Sequence, residues 1–175
     1  MVFPGHIAAG YLTALGVVTF SGIALSPNEQ ALLLTLGALL GDGPDVDLFY
    51  SFFKKKTTNV GALKGHRDHI THMPLLWLLI GLFVFILTVS NFGKVLGILL
   101  WLCPWSHLLC DSLFSDVGVA WLRPFSNKGF TLFKRPETFP ANWKDLFLTL
   151  LKNPLFYLEI FIALVAFVII SIRNF

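Results

Sequence analysis

Residues 74–90 read PLLWLLIGLFVFILTVS, and this stretch decides the fold class of the chain. It contains no acidic residue, no basic residue and no histidine. A helix that crosses the hydrocarbon core of a bilayer needs about 20 mostly apolar residues, and it satisfies its own backbone hydrogen bonds. The stretch is therefore typical of a membrane-spanning helix rather than of a helix in a soluble core.

Four other stretches share this apolar character, and the composition agrees with them. Hydrophobic residues make up 55% of the 175-residue chain and charged residues 13%, whereas soluble domains carry about 25% charged residues. The length suits a single integral membrane domain over residues 1–175. We predict an all-α, polytopic membrane helical bundle of about five hydrophobic segments, over residues 7–25, 31–41, 74–90, 95–115 and 155–172.

The connections between these segments alternate in charge. The loop before residue 74 holds five Lys and Arg residues and the stretch after residue 115 holds six, so together they hold eleven of the thirteen in the chain. Basic loops of membrane proteins lie on the cytoplasmic side. We therefore expect a multi-pass protein with a cytoplasmic N-terminus.

The second basic loop contains an amphipathic stretch. Residues 142–152 read NWKDLFLTLLK, and Asn142 is a suitable N-cap. The apolar residues recur at helical spacing, which predicts a helix lying on the cytoplasmic membrane surface. Its apolar face comprises Trp143, Leu146, Phe147, Leu150 and Leu151.

Ionisable residues cluster at the cytoplasmic ends of the predicted segments. Ionisable groups within membrane segments are energetically expensive and are functional candidates by default. Asp42, Asp45 and Asp47 close the second segment, where Pro44 disfavours helix at the preceding residue and predicts an extended turn. The remaining candidates are His6 at the first segment, His66, Arg67, His69 and His72 before the third, and His107 and Asp111 in the fourth.

These side chains are of the types that bind divalent metals. Imidazole and carboxylate groups are ligands of zinc, manganese and iron, and His107 and Asp111 are spaced to share one helical face. Taken singly, a histidine in a membrane helix is usually a hydrogen-bond partner between helices, and Asp-Gly-Pro-Asp is usually a turn. Their combination predicts a polar pocket on the cytoplasmic side that holds one or two ions.

The order of these motifs resembles that of the YdjM-like inner-membrane proteins, described as LexA-regulated, membrane-bound, metal-dependent hydrolases. The resemblance extends from residue 1 to about residue 130 and implies a location in the inner (plasma) membrane. The shared features are His6, a Pro-Asp-x-Asp turn at residues 44–47, a His-Arg…Thr-His run at residues 66–72, the pair His107 and Asp111, and Pro-Phe-Ser at residues 124–126.

The resemblance and the residue chemistry together imply a hydrolase at the cytoplasmic leaflet. Its substrate would be an ester or phosphoester, such as a lipid or another amphiphile. Asp42 or His69 is the candidate general base, and Arg67 is the candidate to hold an anionic group. One or two divalent ions, zinc before manganese or iron, would be held by His6, Asp45, Asp47, His66, His72, His107 and Asp111.

The histidine run departs from the family pattern, which usually reads His-Arg-x-x-Thr-His-Ser. This chain has an additional residue between Arg67 and Thr71, and Met73 stands in the place of the serine. Because His69 lies within the enlarged gap, the sequence leaves open whether His66 or His69 is the ligand.

Two other functions fit the same residues. A metal or ion transporter would place its site near the midplane between broken helices. We interpret the third and fifth segments as entirely apolar, which argues against a transporter. A non-catalytic scaffold would use the buried polar residues only to pack helices. Nucleic acid is not an expected partner, since neither G-x-x-x-x-G-K-[ST] nor G-x-G-x-x-G occurs in the chain.

Overall fold

The computed structural model describes residues 3–47, 69–114, 118–133, 143–152 and 154–173. Throughout these ranges the regular structure is helical, apart from one isolated β-bridge, so the all-α prediction is confirmed for this part of the chain. Two short 3-10 helices lie at Gly43–Asp45 and Ile70–His72. The α-helices are α1 Phe3–Phe20, α2 Pro27–Leu40, α3 Pro74–Leu87, α4 Asn91–Phe114, α5 Trp143–Leu151 and α6 Pro154–Arg173.

Helix α2 begins at a capping box, four residues before the predicted apolar segment. The Ser26 backbone N–H donates to Glu29 Oε2 at 2.8 Å, and the Glu29 N–H donates to Ser26 Oγ at 3.4 Å. These hydrogen bonds satisfy backbone donors that the first turn of a helix leaves free. The Glu29 carboxylate also accepts from the Ser26 hydroxyl at 2.7 Å, and the backbone N–H and hydroxyl of Ser26, in that order, lower the pKa of Glu29.

The turn that follows α2 is helical, so the prediction of an extended turn is wrong. Gly43 to Asp45 form a 3-10 helix, in which the Asp45 N–H donates to the Asp42 carbonyl at 3.1 Å. Proline is well accommodated in the first turn of a helix. Gly43 has no Cβ to clash with the proline ring, so the usual restriction on the residue before a proline is relaxed.

Helices α1 and α2 approach each other through glycines. A Cβ atom built on Gly10 would lie 2.6 Å from Gly41 Cα, and one built on Gly41 would lie 2.7 Å from Gly10 Cα. Gly37 and Gly41 form a Gly-x-x-x-Gly pair that lets the two backbones meet closely, as small residues do in membrane helix pairs. The same device joins α3 to α4, where a Cβ on Gly97 would lie 2.7 Å from Phe85 N.

Helices α1 to α4 run alternately up and down, which brings one end of each to the same place. The amino end of α1, the carboxyl ends of α2 and α4, and the turn before α3 meet at one end of the bundle. At the opposite end, Asn91 Nδ2 donates to the Ala24 carbonyl at 3.0 Å and joins the loop after α1 to the start of α4. The bundle therefore has two distinct ends, and the ionisable candidates within the described residues share one of them.

Two of the described helices are long and apolar enough to cross a membrane, over Asn91–Leu113 and Phe156–Arg173. Helix α3 is apolar but shorter. Each of the five predicted segments overlaps one helix, and the passage of all five through a bilayer stays a prediction. The predicted surface helix corresponds to α5, Trp143–Leu151, and its position at a membrane surface likewise stays a prediction.

Candidate metal site

His107 lies fully buried in the carboxyl-terminal half of α4, at the centre of the polar cluster. Its Nδ1 atom is 2.9 Å from the carbonyl oxygen of Gly41. A carbonyl oxygen only accepts hydrogen bonds, so Nδ1 carries a proton and donates it. The close glycine contacts of α2 thus place a backbone acceptor where it fixes the orientation of this imidazole, as the hydrogen-bond acceptors beside metal-binding histidines do.

The other ring nitrogen of His107 faces two carboxylates. Nε2 lies 3.5 Å from Asp45 Oδ1 and 3.9 Å from Asp111 Oδ2, and it makes no hydrogen bond to a residue that the structure describes. A nitrogen lone pair aimed at two buried anions is unfavourable unless a positive charge lies between them. Either a bound cation or a second proton on the ring meets this requirement.

His6 stacks on His107 from the first turn of α1. The two ring centroids are 3.7 Å apart and the ring planes differ by 20°. His6 Nε2 lies 3.7 Å from Asp111 Oδ1, so the two oxygens of Asp111 face two different imidazoles. His6 therefore joins the cluster from a third helix, next to the pair that α4 supplies.

His72 enters the cluster from the 3-10 helix that precedes α3. Its Nε2 lies 3.4 Å from Asp45 Oδ1, the same oxygen that faces His107. The Trp77 indole N–H donates to the Thr71 carbonyl at 2.7 Å and fixes this short helix against α3. Burial alone would raise the pKa of Asp45, but His107 and His72 beside it lower that pKa well below its usual range. Asp45 is therefore an anionic ligand candidate at neutral pH.

The spacing of these atoms suits a small divalent ion. Two triads, His6–His107–Asp111 and Asp45–His72–His107, each have ligand atoms within 4.8 Å of one another. Two ligands about 2.1 Å from a tetrahedral ion lie about 3.4 Å apart. His107 belongs to both triads and has one nitrogen left for a metal, so the geometry favours one shared ion over two that each use His107.

Asp47 and His69 form a separate pair beside the cluster. Asp47 is buried, His69 has a half-exposed side chain, and His69 Nε2 lies 3.9 Å from Asp47 Oδ2. Neither belongs to the two triads, although the sequence suggested Asp47 as a ligand. Asp42 is buried between α2 and the 3-10 helix. His66 and Arg67 lie outside the described residues, so their predicted roles stay predictions.

Sequence reasoning missed two residues. The first is Gly41, whose carbonyl orients His107, and the Gly-x-x-x-Gly spacing was the available signal. The second is Glu159, which is 4% exposed within α6 and close enough to Cys110 of α4 to interact electrostatically. Our interpretation of the fifth segment as entirely apolar is therefore wrong. A single acidic residue in an apolar stretch was visible in the sequence and marks a functional candidate.

Comparison with known proteins identifies a family and no individual relative. No curated protein and no solved structure gives a significant match to this chain. The profile of the family described as YdjM inner membrane protein matches residues 1–174, which extends beyond the motifs that carry the resemblance. The chain therefore belongs to the YdjM inner membrane protein family.

Proposed function

We propose that this protein is a membrane-bound, metal-dependent hydrolase that acts at the cytoplasmic leaflet. One observation carries the proposal. His107 donates its Nδ1 proton to Gly41, and its Nε2 atom faces Asp45 and Asp111 in a buried cluster. This arrangement has the oriented imidazole and the anionic partners that a divalent metal requires.

The five clustered side chains would hold a single divalent ion, with zinc the first candidate. Three imidazoles and two carboxylates supply enough ligands for a zinc, manganese or iron site. With such an ion bound, a water of lowered pKa would be available as the nucleophile for hydrolysis. The ligand set would be His6, Asp45, His72, His107 and Asp111.

His69 is the residue best placed to act on a substrate. It is half exposed, whereas the imidazoles of the triads are buried, and the buried Asp47 lies next to it. A carboxylate beside an imidazole orients the ring for proton transfer. We assign His69 as the general base, with Asp42 as the alternative base and Arg67 as the contact for an anionic substrate group.

The membrane placement belongs to the same proposal. All five helices that overlap the predicted segments would cross the bilayer, with the N-terminus and the metal site on the cytoplasmic side. The basic loops support this orientation, since they follow the ends of α2 and α4 that meet at the site. A site at the cytoplasmic ends of membrane-crossing helices would suit an ester or phosphoester of an amphiphile, such as a lipid.

The proposal is tested by turnover of purified protein in detergent micelles. Wild type would be stripped with a chelator, reloaded with Zn²⁺, Mn²⁺ or Fe²⁺, and assayed with p-nitrophenyl esters, p-nitrophenyl phosphoesters and phospholipids. Activity that disappears on stripping, returns with one metal and is lost in His107→Ala supports the hydrolase. Metal-loaded protein with no turnover on any of the three substrate classes contradicts it.

Glu159 supports a second candidate, a metal transporter. A buried carboxyl in an otherwise apolar helix is typical of ion pathways. It also removes the argument against a transporter that the fifth segment is entirely apolar. Uptake of ⁶⁵Zn²⁺ into proteoliposomes, lost in both His107→Ala and Glu159→Gln, is the expected result for a transporter. Uptake equal to that of empty liposomes would contradict a transporter function.

A further inference from the structure

The segment after α4 folds back onto the carboxyl-terminal half of that helix. Val119 and Phe130 form an antiparallel bridge, with backbone hydrogen bonds of 3.0 and 2.9 Å. Ser112 of α4 joins this segment to the helix. Its carbonyl accepts from the Leu132 N–H at 2.8 Å, and its hydroxyl accepts from the Trp121 indole at 2.7 Å. Residues 118–133 are thus a fixed part of the bundle surface.

A groove of about 530 Å³ lies between this segment and α4. Ligand pockets of proteins have volumes of roughly 300–1,000 Å³, so the groove is large enough for part of an amphiphile. Its apolar residues are substantially exposed, with Leu109 at 52% and Leu122 at 68%. The complete lining is Leu109, Trp121, Leu122, Ser126, Lys128, Gly129 and Phe130.

The groove lies on the other side of α4 from the metal site. Leu109 follows His107 by two residues, which is a rotation of roughly 200° around an α-helix. His107 is fully buried, whereas half of Leu109 is exposed. The groove is therefore a separate surface feature, and its occupant does not have to be the substrate of the metal site.

The charge of the groove favours an anion. Lys128 is its charged lining residue, and no lining residue is acidic. Lys128 is exposed and has no ion pair with any residue in the described ranges. The Ser126 hydroxyl lies in the same wall, and Arg123 belongs to the same turn. An ammonium group and a hydroxyl on residues that line the same groove are suitable contacts for a phosphate.

The position of the groove favours a membrane lipid over a water-soluble anion. Leu109 lies within the part of α4 that is long and apolar enough to cross a membrane. Trp121 lines the groove, and Phe125 in the same segment is 87% exposed. Aromatic residues and lysines are enriched at the headgroup level, where acyl chains begin. The groove therefore joins a lipid-facing helix to a cationic rim.

We infer that this groove binds an anionic phospholipid. One acyl chain packs against Leu109, Leu122 and Phe130, and the phosphate is held by Lys128 with Ser126. The lipid is a bound structural partner on the outer side of α4. The inference is independent of the hydrolase proposal, because it uses none of the metal-site residues.

The test measures lipid retention by the full chain. Protein in mixed micelles with equal amounts of phosphatidylglycerol and phosphatidylcholine would be analysed by native mass spectrometry. We expect wild type to retain phosphatidylglycerol in preference to phosphatidylcholine. Lys128→Glu should lose that preference, and Lys128→Arg should keep it because the charge is kept. Lys94→Glu is the matched control, since Lys94 lies at the opposite end of α4.

A second variant tests the apolar wall without changing charge. Leu109→Trp fills the groove and should reduce retention of phosphatidylglycerol several-fold. Circular dichroism and thermal unfolding of each variant show whether the bundle is intact. Equal retention of both lipids by wild type, equal loss in Lys94→Glu and Lys128→Glu, or full retention by both Lys128→Glu and Leu109→Trp would each overturn the inference.

Discussion

The Nδ1 proton of His107 in α4 is donated to the carbonyl oxygen of Gly41, the residue that ends α2, over 2.9 Å. Through this hydrogen bond, the packing of α1 against α2 influences the orientation of the His107 imidazole. Gly41 is close to Gly10 because neither residue has a side chain, and this approach sets where the carbonyl lies. The orientation of a candidate metal ligand therefore depends on a helix contact made by glycines.

Substitution of Gly41 should disturb the site through that contact. A Cβ in Gly41→Ala would lie 2.7 Å from Gly10 Cα, so α1 and α2 must separate. Overpacking of this kind costs about 1–3 kcal/mol, and the shift of the carbonyl should weaken metal binding as well. Gly16→Ala in α1 is the matched control, because no atom lies within 4 Å of its added Cβ. Thermal unfolding and metal content of both variants check the prediction, and equal behaviour would contradict it.

Removal of metal should destabilise wild type. Loss of the ion would remove a positive charge from between His107 and the Asp45 and Asp111 carboxylates in a buried cluster. A ligand present at about 100 times its dissociation constant stabilises the folded state by about 2.7 kcal/mol. We expect EDTA to lower the melting temperature of wild type and to leave that of His107→Ala nearly unchanged. The same decrease in both proteins would show that the chelator acts elsewhere.

The two aspartates of the turn should differ in their roles. Asp45 Oδ1 lies within 3.5 Å of two imidazoles, whereas Asp47 faces the half-exposed His69 outside the triads. Asp45→Asn should therefore lose at least tenfold in metal affinity, about 1.4 kcal/mol. Asp47→Asn should keep its metal and lose turnover. Metal titration and a hydrolysis assay measure the two effects separately, and loss of metal from Asp47→Asn would place that residue among the ligands.

The capping box of α2 should make stability sensitive to acid. Its hydrogen bonds lower the pKa of Glu29 in the folded protein. A depressed folded pKa contributes stability that is present above the unfolded value of 4.5 and is lost as the pH falls through the folded pKa. Glu29→Gln keeps a capping side chain but does not titrate. Unfolding followed from pH 7 downwards should show a smaller loss of stability in this variant below about pH 4.5.

Much of the bundle could be predicted from residues 74–90 and similar stretches, because an apolar run at this length has few alternatives to a helix. The pairing of His107 with Asp111 was also predictable, since i, i+4 residues share a helical face whatever surrounds them. Each of these two features depends on the residues of a single segment, so each can be predicted from the sequence.

Contacts between segments were harder to predict. The sequence alone did not separate Asp45 from Asp47, since the turn was expected to be extended and is a 3-10 helix. The stacking of His6 on His107 depends on how closely α1 approaches α2 and α4, and that distance is set by glycines on partner helices. Glu159 was overlooked because the hydropathy of its neighbours outweighs a single carboxyl group.

The proposed function rests on one divalent ion held around the Nε2 atom of His107. Elemental analysis of wild type and His107→Ala, purified side by side with His69→Ala as the matched histidine control, tests it most directly. We predict about one transition-metal ion per chain in wild type and in His69→Ala, and almost none in well-folded His107→Ala. Wild type without metal after purification in metal-supplemented buffer, or the same metal content in His107→Ala, would rule out an ion held by His107.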